Sequence, residues 1–255
     1  MTGPGNQRLH NLLVSGGVAH DFEVTSQRLV HVLESVGIVS SVTTDIDDAF
    51  AALSADPKRW DLVTVNALRW RMDGVERYAA QRAEWGLSLS SAARRGVRDY
   101  IAAGQPLLAM HSACICFDDW PEWGEIVGGA WNWSRSSHPP FGSAVPVTVH
   151  ADRHPIVAGL QDFEIVDEVY GFLDTEPDVV PLLSSPHGAV DHPLLWARTL
   201  TDGARVVFDA LGHDHQSYDH AVHRLILQRA GQWLTRQGHH RAPVQAGGAQ
   251  QERSS

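Results

Sequence analysis

The 255-residue chain has only two cysteines, Cys114 and Cys116, with one residue between them. A bridge at that spacing is strained, so no disulfide framework holds the fold. Basic residues are also short: 20 Lys and Arg stand against 30 Asp and Glu, a formal net charge of -10. Phosphate recognition needs clustered cations, and there is neither a basic stripe nor a basic amphipathic helix. Nucleic acid and membrane surfaces are therefore disfavoured as partners. No stretch approaches the ~20 apolar residues of a membrane span. The opening MTGPGNQRLHN lacks an apolar run ahead of a small-residue cleavage site, which points to a cytoplasmic protein. Standard fingerprints are missing too: G-x-G-x-x-G, the P-loop, H-E-x-x-H and C-x-x-C do not occur.

What is present suits one large α/β domain, since a chain of this length buries about three quarters of its surface without staples. Leu9–Val14 reads as a strand running into Ser15-Gly16-Gly17. Asp21 then reads as the N-cap of a helix with Phe22, Leu29, Val32, Leu33 and Val36 on its buried face, stopped at Gly37. Ile38–Thr43, Asp61–Val65, Pro106–Met110 and Arg205–Leu211 read as further strands. Helical patterns fall near Asp48–Leu53, Ser90–Ala103 and Tyr218–Arg236. Strands separated by helices predict βαβ units and a parallel sheet. Val145–Val149, Val166–Leu173, Val179–Leu183 and Leu194–Trp196 are shorter strand candidates in a more irregular second half. Residues 1–8 are expected to be a flexible N-terminus and 238–255 a disordered tail, around a domain spanning 9–237.

Ligands of parallel sheets bind beyond the carboxyl ends of the strands, where loops and helix N-termini converge. Three positions there carry chemistry: His20-Asp21, His111-Ser112 and Gly212-His213-Asp214-His215. Imidazole titrates near neutral pH and suits acid–base work, and the same groups suit a divalent metal such as zinc. A histidine on a loop is more often a surface or hydrogen-bonding group. Placement directly after an apolar strand singles out His111 and His213. His150, His187, His192, His220 and His223 lack that placement and are expected to face solvent, while His239 and His240 lie in the tail. Ser112 adjoins His111, and adjacent residues of an extended turn point apart. Cys114 and Cys116 read as packing residues rather than nucleophiles. Tryptophan is frequent, with nine copies. Trp120, Trp123, Trp131 and Trp133 lie just beyond the Pro106–Met110 strand, a placement that favours a polar, ring-shaped ligand.

Six blocks together, GGVAHDF (Gly16–Phe22), LLAMHSA (Leu107–Ala113), FDDWPEWGEIVGG (Phe117–Gly129), DRHPIVAGL (Asp152–Leu160), VDEVYGF (Val166–Phe172) and LGHD (Leu211–Asp214), resemble the ThuA-like, trehalose-utilisation family. The resemblance covers about residues 9–236. It implies a flavodoxin-like three-layer α/β sandwich with a mostly parallel sheet, related to class I glutamine amidotransferases. His111 then stands where those enzymes keep a cysteine nucleophile, and His213 matches their late histidine, so glutamine hydrolysis through a thioester is not expected. The resemblance also implies a carbohydrate ligand, trehalose or a related disaccharide or an oxidised keto-sugar. On this reading His111 and His213 are the acid and base. Asp21, Glu168 or Asp214 orients an imidazole or takes a proton. His20, Ser112, Trp131, His138 and Tyr170 contact the sugar. The reaction classes are isomerisation, hydration–elimination and hydrolysis; the alternative is a non-catalytic sugar-binding protein. A homo-oligomer is left open.

Overall fold

Runs of Leu and β-branched residues alternate with amphipathic helices through much of the chain, and all but one of the strand runs are used. The computed structural model describes residues 8–235; the expected tail, and all but one residue of the expected flexible N-terminus, lie outside the described residues. The elements in chain order are β1 (Leu9–Gly17), α1 (Phe22–Glu34), β2 (Ile38–Thr43), α2 (Ile46–Ala51), β3 (Leu62–Leu68), α3 (Arg82–Trp85), α4 (Ser91–Ala102) and β4 (Leu107–Met110). Then come α5 (Pro121–Val127), β5 (Gly129–Ala130), β6 (Ala144–Val149), β7 (Phe163–Val166), β8 (Asp174–Thr175), β9 (Pro181–His187), β10 (Val190–Thr199), β11 (Arg205–Asp209), α6 (His215–Asp219) and α7 (Ala221–Thr235).

The main sheet has the order β2-β1-β3-β4-β11-β10-β9-β6-β7. From β2 to β11 the pairings are parallel. From β11 to β7 they are antiparallel. The sheet is thus mixed, with its parallel half on the side that carries the first-half strands. Parallel pairing needs long crossovers, which the helices of the first half supply; the tight Gly188-Ala189 turn between β9 and β10 permits only the antiparallel kind. β3 and β4 are buried at every residue, as strands covered on both faces should be. α1 packs with α6 and α7, while α2 packs with α4, giving the two helical layers.

Local signals place the helices. The Asp21 carboxylate accepts from the Val24 N–H at 3.1 Å, and the Ser90 hydroxyl accepts from Ala93 N–H at 3.1 Å. Ala93, Gly96, Val97, Tyr100 and Ile101 form the buried stripe of α4, at the spacing of one helical face. Among the described residues no helix is long and apolar enough to cross a membrane.

Three expectations need correction. Of the Val166–Leu173 stretch only Val166 stays in the sheet, as the last residue of β7. The rest turns out of the sheet, because buried Asp167 gathers backbone N–H groups that a ladder would otherwise use. The final helix is divided at His220, whose backbone is extended and whose Nδ1 accepts from the His223 N–H at 3.4 Å, capping α7. His192 and His223 do not face solvent; they are 5% and 0% exposed. Each ring has partners inside the protein. His192 Nδ1 accepts from Phe172 N–H, and His223 lies between Asp209 and Ser217. Both cysteines are buried packing residues, and burial pushes the Cys116 thiol up to about 12.

Candidate functional site

β4 ends at Met110, and the chain then turns sharply at His111, whose φ of +46° lies in the left-handed region. For a residue with a Cβ that conformation costs about 1–2 kcal/mol. A short hydrogen bond opposes the cost: His111 Nδ1 donates to the Ala210 carbonyl, beyond the end of β11, at 2.6 Å. A carbonyl only accepts, so Nδ1 carries the hydrogen and Nε2 faces the cleft. Ser112 points the other way and donates to the Ala67 carbonyl at 2.9 Å, anchoring the turn to β3.

His20 arrives from the loop after β1. Its Nδ1 lies 3.2 Å from the Val18 carbonyl, which sets the same tautomer and leaves Nε2 3.1 Å from His111 Nε2. His213 arrives after β11. Its loop is held by Asp167, whose carboxylate accepts from Gly212 N–H (2.8 Å), His213 N–H (3.2 Å) and Glu168 N–H (2.8 Å). Glu168 is then fixed at the centre. Its Oε2 lies 3.5 Å from His111 Nε2 and 3.2 Å from His213 Nδ1, and its Oε1 lies 3.1 Å from His138 Nδ1. The Tyr170 hydroxyl reaches His111 Nε2 at 2.9 Å.

Burial works against charge here, and the partners decide which groups carry it. Burial alone would raise Glu168, but His111 and His213 outweigh it and hold the carboxyl well below its usual range. Burial would lower His111, yet Glu168 and Asp167 turn the balance upward. Burial, with His111 and His213 beside it, pushes His20 down to about 3. Both Nδ1 atoms face carbonyls, so the 3.1 Å contact between the two Nε2 atoms needs a hydrogen on one of them. The opposite directions of the two shifts favour His111 as the donor and His20 as the acceptor.

The cleft in front of this cluster has a volume of about 280 Å³. Trp70, Tyr78, Trp131 and Trp133 line it together with His20, Glu168 and Tyr170. Trp131 meets Tyr170 edge to face at 5.3 Å. Trp120 and Trp123 are core residues instead, 4% and 2% exposed, with the Trp123 indole N–H donating to the Ala113 carbonyl.

Of the expected site residues, His20, His111, Glu168, His213, His138 and Tyr170 come together, and Trp131 lines the same cleft. Asp21 and Asp214 do not join them. They serve as the N-caps of α1 and α6, with Asp214 accepting from Gln216 N–H at 2.8 Å. Ser112 is turned into the core. Asp167 was missed; its only sequence signal is an acidic pair inside the apolar VDEVY run.

His20, His111, Glu168 and His213 each aim one ligand atom at a common point, all four atoms lying within 4.8 Å of one another. His213 Nδ1 lies close to Glu168 Oε2 but, among the described residues, makes no aligned hydrogen bond, so a buried nitrogen is left without a partner. A tetrahedral zinc site with ~2.0–2.1 Å bonds has ligand-to-ligand edges of roughly 3.3 Å. Three of the six separations, 3.1, 3.2 and 3.5 Å, are of that size, within a set that spreads to 4.8 Å. Three imidazoles and a carboxylate are a donor set that fits a divalent ion such as zinc once His111 Nε2 has given up its hydrogen.

A ThuA-like protein from Parabacteroides merdae superposes with a TM-score of 0.71 at 18% identity, covering 90% of this chain and 91% of that one. A second ThuA-like protein, from Bacteroides uniformis, gives 0.64 at 18% identity over 92% and 94%. A cytoplasmic protein from Salmonella typhimurium gives 0.58 at 10% identity over 88% and 98%. These likenesses concern the fold. No curated protein sequence matches the chain. The family model described as "Trehalose utilisation" matches residues 12–234, and the chain accordingly belongs to the ThuA family.

Proposed function

We propose that this protein processes a small carbohydrate by acid–base chemistry in the tryptophan-lined cleft. The observation that carries the reading is that Trp70, Trp131 and Trp133 line the same cleft of about 280 Å³ as a buried imidazole–carboxylate cluster. Indole faces suit the C–H faces of a sugar ring, and the cleft admits about one ring rather than a drug-sized ligand. His138 and Tyr170 face the hydroxyls. His111, kept charged by Glu168, gives a proton to a sugar oxygen, and His213 accepts one. Proton transfer of this kind contributes about 10²–10⁴-fold to a rate. Membership of a trehalose-utilisation family supports a sugar as the ligand.

The donor set favours a second reading, in which His20, His111, Glu168 and His213 hold a divalent ion such as zinc. Such an ion supplies Lewis acidity and a water activated near neutral pH. Tyr170 and His138 then keep their place beside the sugar hydroxyls. Metal analysis of untagged protein separates the two readings: about one equivalent favours the second, and less than about a tenth with activity intact removes it. The sugar reading is tested by following candidate sugars by NMR with wild type and His111→Ala. Turnover by wild type that His111→Ala loses supports it. Equal turnover removes His111 from the chemistry, and saturable binding without any chemical change leaves a sugar-binding protein.

A further inference from the structure

Beside the cleft lies a second and larger hollow of about 800 Å³, at the carboxyl ends of β1 and β2 against the outer face of α1. Its apolar walls are Phe22 and Val30 of α1, Val42 of β2 and Trp85 of α3. The polar groups at its floor are already paired. The Ser15 and Ser26 hydroxyls lie 2.7 Å apart, and Asn66 donates to Ser26 at 3.0 Å. The Asp21 carboxylate is taken by the Val24 N–H. Glu23, Gln27 and His31 of α1 and Thr44 after β2 add further polar groups to the lining. Against the Phe22, Val30, Val42 and Trp85 walls a hydroxyl-rich ring would find few partners for its hydroxyls, whereas an aryl or alkyl group needs none. Val42 is 51% exposed, an apolar side chain left uncovered at this wall.

The hollow and the cleft have one lining residue in common. His20 lines both, its ring centroid 5.3 Å from Phe22 on one side and 4.9 Å from His111 on the other. We propose that the hollow is a subsite for an apolar aglycone: the substrate is a glycoside whose sugar occupies the tryptophan-lined cleft and whose aryl or alkyl group lies between α1, Val42 and Trp85, with His20 beside the bond joining them. This rests on the sugar reading of the cleft, and it distinguishes the substrate from a disaccharide, whose second ring would meet an apolar wall.

The test is calorimetric binding of methyl, phenyl and octyl glucosides in both anomers, with trehalose and free phenol alongside. Burying about half of a phenyl ring's apolar surface gives roughly a tenfold gain over the methyl glucoside. Val42→Glu, at an exposed position where the fold tolerates it, should reduce that ratio to near one. Equal affinities for methyl, phenyl and octyl glucosides, tighter binding of trehalose than of the phenyl glucoside, or a ratio unmoved by Val42→Glu would overturn the subsite while leaving the sugar reading standing. Phenol binding as tightly as its glucoside would instead remove the sugar from the cleft. Binding of none of these compounds removes both.

Discussion

His111 holds a conformation that side chains rarely adopt, and the Ala210 carbonyl and the Ser112 hydroxyl hold it there. Its neighbour in space, Glu168, is, among the described residues, the one carboxylate that touches three imidazoles. Glu168→Gln keeps the shape and removes the charge. It should lower turnover by about 10²-fold or more, read as kcat at fixed pH on whichever sugar wild type converts. Turnover within threefold of wild type would take the carboxylate out of the chemistry. Asp167 acts through others, by holding the N–H groups of Glu168, Gly212 and His213. Asp167→Ala leaves three donors without their acceptor at a residue 3% exposed. Unpaired buried groups cost about 1–3 kcal/mol each, with partial relief from water. Urea unfolding should show a loss of about 2–4 kcal/mol; a loss under 1 kcal/mol would mean the loop is held by other contacts.

Between elements, the join of β11 to α6 and α7 rests on a wholly buried trio. Asp209 Oδ2 pairs with His223 Nε2 at 3.0 Å, and His223 Nδ1 lies 2.9 Å from both the hydroxyl and the carbonyl of Ser217. The arrangement resembles a hydrolytic triad. However, a ring nitrogen facing a carbonyl must carry a hydrogen, so it is not available as a base for the hydroxyl, and all three residues are sealed from solvent. Its role is to fix the chain where Asp209 also accepts from Leu211 N–H, two residues before His213. Burial lowers the His223 imidazole, but the Asp209 carboxylate outweighs it and the net direction is up. A raised native pKa means the stabilisation is complete below the unfolded value of about 6.5 and fades as pH rises through the native value. The Tm difference between wild type and His223→Gln should thus be largest near pH 6 and shrink toward pH 9. A difference that is flat or grows over that range would show that His223 is neutral in the native state.

For the whole molecule, the cluster joins loops from three parallel strands, after β1, β4 and β11, to the segment that leaves β7. An ion held there binds only the folded chain, so it adds stability by mass action. If the metal reading holds, zinc at 100 times its dissociation constant contributes about 2.7 kcal/mol, or roughly 5–10 °C in Tm for a domain of this size. His20→Ala should abolish most of that shift. Zinc that leaves the Tm of untagged protein unchanged would argue for the metal-free reading.

Much of this was legible in the residue order. Apolar runs and turn residues place β1 to β4 and β11 nearly where they lie, Asp21 and Ser90 mark helix starts, and histidines directly after β4 and β11 mark the rim. Those features are local, since periodicity, capping and strand-end position depend on neighbours in the chain. The tertiary structure alone decided the rest. His20 meets His111 across 91 residues, and His111 meets Tyr170 across 59. The switch to antiparallel pairing after β11 depends on which strands come side by side. The buried states of His192 and His223 depend on what packs over them. Whether Asp21, Asp214 or Glu168 serves the imidazoles was equally open in the sequence, since each is an acidic residue near a strand end. Folding turned the first two toward helix N–H groups and enclosed only Glu168 among the rings, because a buried carboxylate survives where cations and donors surround it.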